Sequence, residues 1–138
     1  MKKLVFIIPI AFLFFGCKHD TNDNCFQVAC TEQFVTIVVT IIDQDDNPAA
    51  LDGFEVLVIE SGIDITRQLS DAEFQSAQQN GMYPLFGDEL QNMFENQELD
   101  LTFKGVIAGQ EIVNRNFSVG ADCCHVFLIS GDTNIVID

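Results

Sequence analysis

Cys25 and Cys30 stand near one end of this chain, and the adjacent pair Cys123 and Cys124 near the other, more than 90 residues away. No other feature limits the architecture as strongly. The fold must either bring the two stretches together or leave four thiols apart. Four cysteines can pair in three ways. One way joins Cys123 to Cys124 and Cys25 to Cys30, but neighbouring residues rarely reach disulfide geometry. Within a strand their side chains would also point to opposite faces. The other two ways both fasten the start of the domain to its penultimate strand: Cys30 with Cys124 and Cys25 with Cys123, or the partners exchanged. Each bridge would close a long loop and contribute about 2–4 kcal/mol. A zinc site is the competing expectation. Cys25 and Cys30 have a C-x4-C spacing that lets two sulfurs face one ion, and His125 would share a strand face with Cys123, giving a Cys25, Cys30, Cys123, His125 set. No C-x-x-C spacing suggests a redox couple.

The fifth cysteine, Cys17, belongs to a different context. The chain opens MKKLVFIIPIAFLFFGCKHD. Two lysines precede twelve apolar residues, Leu4 to Phe15, too few for the roughly 20 of a membrane span. A basic end, a short apolar core and a small residue before the cut are the marks of an export signal. FFGC resembles the lipobox of bacterial lipoproteins, in which cleavage precedes a cysteine that carries lipid. That resemblance implies a signal over residues 1–16 and a lipidated Cys17. A polar tether would cover 17–29 and a folded domain 30–138. The protein would be anchored to a bacterial outer membrane, periplasmic or surface-exposed. Asp20 behind the cysteine also resembles the surface-export signals of Bacteroidota-type lipoproteins. His19 reads as a solvated tether residue. With Cys17 lipidated, four cysteines remain in an exported chain, where thiols tend to oxidise.

All 21 acidic residues follow residue 16, but only four of the six basic ones do, so the mature chain carries a formal charge of −17. Such a chain repels phosphate backbones and has too few cations to displace their counterions, which excludes nucleic acid as a partner. The acidity is expected to serve solubility, with calcium binding the sharper alternative. Asp43, Asp45 and Asn47 have the D-x-D-x-N spacing of a calcium loop. Pro48 stands where that loop needs glycine and Phe54 where it needs glutamate, so an EF-hand is ruled out. A turn using Asp and Asn for local hydrogen bonds is the favoured reading.

Strand periodicity dominates the rest. In FVTIVVTIID, residues 34–43, Val35, Ile37, Val39 and Ile41 share a face. FEVLVIES, residues 54–61, follows a turn-rich link, and GIDITRQ suggests a short return strand. Ser70 and Glu73 have capping-box spacing, marking a brief helix or polar loop over 70–79. GMYPLFG reads as extended, and Pro84 confines it to a sheet edge. DELQNMFENQ suggests another short helix. ELDLTFKG alternates cleanly, EIVNRNFSV runs back, and CHVFLIS, GDTN and IVI suggest a closing hairpin. Seven or eight short strands at roughly ten-residue spacing predict an all-β, antiparallel Greek-key sandwich with one or two helical turns in its loops.

VTIID-QDDN-PAALDGFEVLV resembles the first hairpin of carboxypeptidase-regulatory-like and transthyretin-like domains. Asp43, Pro48, Gly53 and Val56 match that layout, and Asn47 stands where glycine is usual. The span from CTEQF to GDTNIVID, GADCCHVFLISG included, is similar to small Bacteroidota lipoproteins of this type. The resemblance implies a prealbumin-like sandwich and is nearly silent on activity. The Tyr-Arg-Gly-Ser ending of the transthyretin-like hydrolase is absent, since the chain ends IVID. No nucleophile elbow or phosphate loop occurs. The expectation is a non-catalytic, lipid-anchored module that binds a protein or glycan or acts structurally, without a cofactor. A metal-binding protein or enzyme built on the Cys/His cluster and a calcium-stabilised surface module are the alternatives.

Overall fold

A computed structural model describes residues 25–138 of the chain. Seven strands form two sheets. In one, β1 (Thr36–Ile42) lies between β3 (Met82–Gly87) and β7 (Asn134–Val136). In the other, β2 (Gly53–Val58), β4 (Gln97–Ile107), β5 (Gln110–Ala121) and β6 (Val126–Ser130) lie side by side in that order. The expected all-β sandwich is therefore present. One helix, α1 (Asp71–Asn80), and 3₁₀ turns at Cys25–Gln27 and Asp88–Met93 complete the described residues.

Alternation decides which faces meet. Val39 and Ile41 of β1, Val56 of β2, Leu101 and Phe103 of β4 and Val113, Phe117 and Val119 of β5 are buried between the layers. Leu101 lies directly opposite Phe117, so their side chains share the inner face. Tyr83 is also fully buried, and its hydroxyl donates to Ala49 O at 2.8 Å and accepts from Leu51 N at 2.7 Å. That pair of bonds fixes the link from β1 to β2. Burial raises the Tyr83 pKa, against the bond from Leu51.

Local signals are realised where they carry their own chemistry. Ser70 caps α1: its Oγ accepts from Glu73 N at 3.3 Å, and Glu73 Oε2 accepts from Ser70 N at 2.8 Å. Gly81 ends the helix with φ 65°, a left-handed conformation open to glycine at no steric cost. Pro84 sits on β3, which pairs only with β1, so its missing N–H leaves no gap in a ladder.

Three expectations are corrected. VTIID and FEVLV do not form a hairpin: β1 and β2 belong to opposite sheets. The intervening Ala49 and Leu51 are buried, which draws the link through the sandwich edge instead of folding it back. Nor do β6 and β7 form a closing hairpin. The chain crosses at Gly131, and β7 runs parallel to β1, pairing Ile41 with Ile135. Burial of Ile135 against the core rewards that crossing. Finally, GIDITRQ does return antiparallel to β2, but as a single bridge of Asp64 to Leu57 and not as a full strand. It lies along the outer edge of β2, where Val58 N donates to Ile63 O and Ile65 N to Val56 O, both at 2.9 Å.

Two ends of the sandwich matter for function. Gln97 pairs with Ala121 at one end of the β4–β5 ribbon and Ile107 with Gln110 at the other. At about 3.3 Å per residue the ends are roughly 30–35 Å apart.

Candidate functional site: the clasp at the chain entry

The β5–β6 connection, Asp122 to His125, is a turn and not the strand expected from Cys124 onward; β6 begins at Val126. Asp122 builds it. Its Oδ1 accepts from Cys124 N at 2.7 Å and His125 N at 2.8 Å, and its own N–H donates to His125 O at 3.0 Å. These backbone bonds, from His125 first and then Cys124, hold the Asp122 carboxyl below its ordinary pKa. Gln91, buried on the second 3₁₀ turn, donates to Asp122 O at 2.6 Å and locks the turn to the body.

Both cysteines of this turn are bridged to the chain entry. Cys25 bonds to Cys123 (S–S 1.97 Å) and Cys30 to Cys124 (2.04 Å), each with Cα atoms 5.2 Å apart. This is one of the two pairings that the sequence leaves open. The opposite-face argument against a Cys123–Cys124 bridge does not apply in a turn; that pairing is excluded because each sulfur has a partner across the clasp. The zinc set of Cys25, Cys30, Cys123 and His125 is corrected for the same reason. The bridged sulfurs are not thiolates, and the imidazole of His125 is held elsewhere. Cys25 also fastens the chain five residues before the expected domain start at residue 30.

Behind the disulfides lies a polar line that the sequence did not reveal. His125 Nδ1 is 2.8 Å from Asp88 Oδ2, and His125 Nε2 is 2.8 Å from Thr31 Oγ1. Asp88 is nearly buried and gathers three elements. Its Oδ2 also accepts from Val35 N at 2.8 Å, and its Oδ1 from Val126 N at 2.9 Å, while its N–H donates to Val35 O. Burial pushes the Asp88 pKa up, but the bonds from His125, Val35 and Val126 together outweigh it and leave the carboxyl below its usual range. Thr31, Asp88 and His125 lie on three separate segments, so no local spacing announces them. Asp122 is different: an Asp followed by amides two and three residues on is a readable turn signal in DCCH.

The arrangement has the connectivity of a nucleophile–base–orienter relay. It lies at the surface, with the Thr31 hydroxyl exposed. The five main concavities of the described residues have other linings. The roomiest, about 550 Å³, lies at the opposite end of the sandwich and collects Asp52, Phe54, Glu55, Lys104 and Glu111. Lys104 Nζ there pairs with Glu55 Oε2 at 3.5 Å. The Phe54 ring itself points into the core, where it stacks on Phe103 with centroids 5.7 Å apart.

Asp43, Asp45 and Asn47 occupy the corner after β1. Asp43 Oδ1 accepts from Asp45 N at 2.8 Å and Asn47 N at 2.9 Å, and both of its oxygens face Asn47 Nδ2. These bonds, that of the Asn47 side chain first, lower the Asp43 pKa. The carboxylate is turned onto its own loop. Among the described residues no group of three or more His, Cys, Asp or Glu side chains is placed to hold a metal ion. Cys17, the expected lipidation site, lies outside the described residues. No family model matches the chain, and no curated protein or solved structure matches it either.

Proposed function

We propose that this chain is a lipid-anchored β-sandwich module of a bacterial cell envelope, of the transthyretin-like kind that its first strands resemble, and that it binds or bridges and does not turn over a substrate. The observation that carries the reading is the double disulfide between the chain entry and the β5–β6 turn. Pulling on a tether at Cys25 loads covalent bonds to the β5–β6 turn of the four-stranded sheet. A chain held by its front end in an oxidising exterior gains resistance to fraying and proteolysis from that placement. The pocket of Asp52, Phe54, Glu55, Lys104 and Glu111 then faces away from the anchor. Acidic side chains around one lysine suit the hydroxyls of a glycan, or a polar segment of a protein. Labelling with a palmitate analogue tests the anchor. Label on the wild type that disappears in Cys17→Ala supports it, and a Cys17→Ala protein that still labels and stays in the membrane ends it. Binding of envelope glycans that is lost in Lys104→Ala supports the pocket as the contact.

A second reading rests on the Thr31–His125–Asp88 line. With its proton on Nδ1, His125 would take the Thr31 hydroxyl proton as Oγ attacks an ester carbonyl. It would return that proton to the leaving alcohol, and water would then release the acyl group from Thr31. Hydrolysis of p-nitrophenyl acetate by the oxidised protein decides between the readings. Turnover abolished by Thr31→Ala and by His125→Ala would establish an esterase; a rate unaffected by Thr31→Ala leaves the line a structural clasp.

A further inference from the structure

The two disulfides do more than fasten the entry. Because Cys123 and Cys124 are adjacent, Cys25, Cys30 and the two bridges close a covalent ring of eight residues. Four of them, Phe26, Gln27, Val28 and Ala29, are all exposed. Phe26 is 85% exposed and Val28 50%. None of the four carries a charge, in a chain whose mature part has 25 ionised Asp, Glu, Lys and Arg side chains. An exposed Phe on a flexible tail can turn inward to cover itself. Here bridges on both sides restrict the backbone that carries it, and the side chain stands outside the sandwich. The ring therefore displays an uncharged apolar tip at some cost in free energy unless something covers it.

Where the ring sits identifies the cover. Only seven residues separate Cys17 from Cys25. Fully extended, that stretch spans about 28 Å. If Cys17 carries lipid, the tip lies within that distance of the bilayer surface, on the sandwich end where the chain enters. We propose that the Phe26–Ala29 ring docks into the headgroup–acyl boundary of the membrane that holds the anchor. It adds a second, non-covalent contact that stands the domain on its disulfide end, with the β4–β5 hairpin pointing away. The proposal rests on the lipid-anchor reading. An aromatic and an aliphatic side chain on an uncharged loop suit a membrane interface, where an apolar ring can bury while the backbone stays hydrated. A single lipid attachment leaves orientation free, and a rigid apolar foot beside it fixes the orientation.

The chain has no tryptophan, so one indole can report on each end. The protein from Cys17 to Asp138, with both disulfides formed, is coupled through its remaining thiol to a maleimide phospholipid in phosphatidylcholine vesicles. The zwitterionic lipid avoids repelling an acidic protein. Phe26→Trp is expected to shift its emission to the blue and to be quenched by brominated acyl chains at least several-fold more than Gln110→Trp at the far hairpin. Adding Val28→Ser to Phe26→Trp is expected to reduce that quenching. Equal quenching at both positions, or emission from Phe26→Trp that vesicles leave unchanged, overturns the proposal. So does a blue shift without vesicles that grows with protein concentration, which would mean that a second copy covers the ring. Chemical coupling keeps this result separate from the anchor itself. Failure of palmitate labelling in the host removes the natural anchor, whereas failure here removes the docking.

Discussion

Removing the disulfides one at a time should cost far less than removing both, and the structure fixes the difference. Each bridge alone closes a loop of nearly a hundred residues, Cys25 to Cys123 separated by 98 and Cys30 to Cys124 by 94. Chain-entropy scaling puts the loss of such a closure at about 4.7 kcal/mol. Once one bridge exists, however, the other closes only the eight-residue ring. The same scaling gives about 2.5 kcal/mol for that. Replacing Cys25 and Cys123 by serine, or Cys30 and Cys124, should therefore lower unfolding free energy by about 2.5 kcal/mol in either case. Replacing all four should lower it by about 7 kcal/mol, which can exceed the whole stability of a domain this size. Urea unfolding with the Cys17 thiol blocked measures all three. A quadruple variant whose loss equals the sum of the two pair losses to within about 0.5 kcal/mol would refute the shared-loop reasoning, because distant independent cross-links add.

Three further outcomes follow from the same coordinates. Asp88→Asn keeps the shape but turns an NH2 group toward one of the donors that the carboxylate accepts, from Val35 N, Val126 N and His125 Nδ1. A loss of about 2–3 kcal/mol in urea unfolding is expected, and His125→Ala should cost less in Asp88→Asn than in the wild type. Tyr83→Phe strands Ala49 O and Leu51 N inside the sandwich, and a loss of about 2 kcal/mol with an unchanged fold by circular dichroism is expected. Acid should weaken the clasp. Asp88 and Asp122 are held below the ordinary carboxylate pKa, so the unfolded chain binds their protons more readily than the folded one. Their contribution is full above about pH 5 and is lost as pH falls through the folded-state values, below the usual pKa of roughly 3.9. Melting temperature measured from pH 7 to 2 should show that fall, and Asp122→Asn should flatten it.

The fold class was legible because a sheet with one buried face writes itself as alternation. Leu99, Leu101 and Phe103, with Val113, Phe117 and Val119 returning, declare the central ribbon. The Ser70–Glu73 cap, Gly81 and Pro84 act within a turn of their own positions, so they too could be read directly. The sequence alone also limited the cysteines to two pairings between the chain entry and the β5–β6 connection. It misread the partners of β1 and β7, because a short apolar strand such as Asn134–Val136 satisfies either sheet equally well. Only burial of Ile135 beside Ile41 chooses.

What tertiary structure alone decided is the clasp. Asp88 and His125 lie 37 residues apart, and Thr31 lies 94 residues from His125. A hydrogen bond between side chains imposes no pattern on the residues between them. Periodicity and turn chemistry are short-range and survive in one dimension. The choice of sulfur partners, the convergence on one carboxylate and the outward display of Phe26 depend on which segments packing brings side by side.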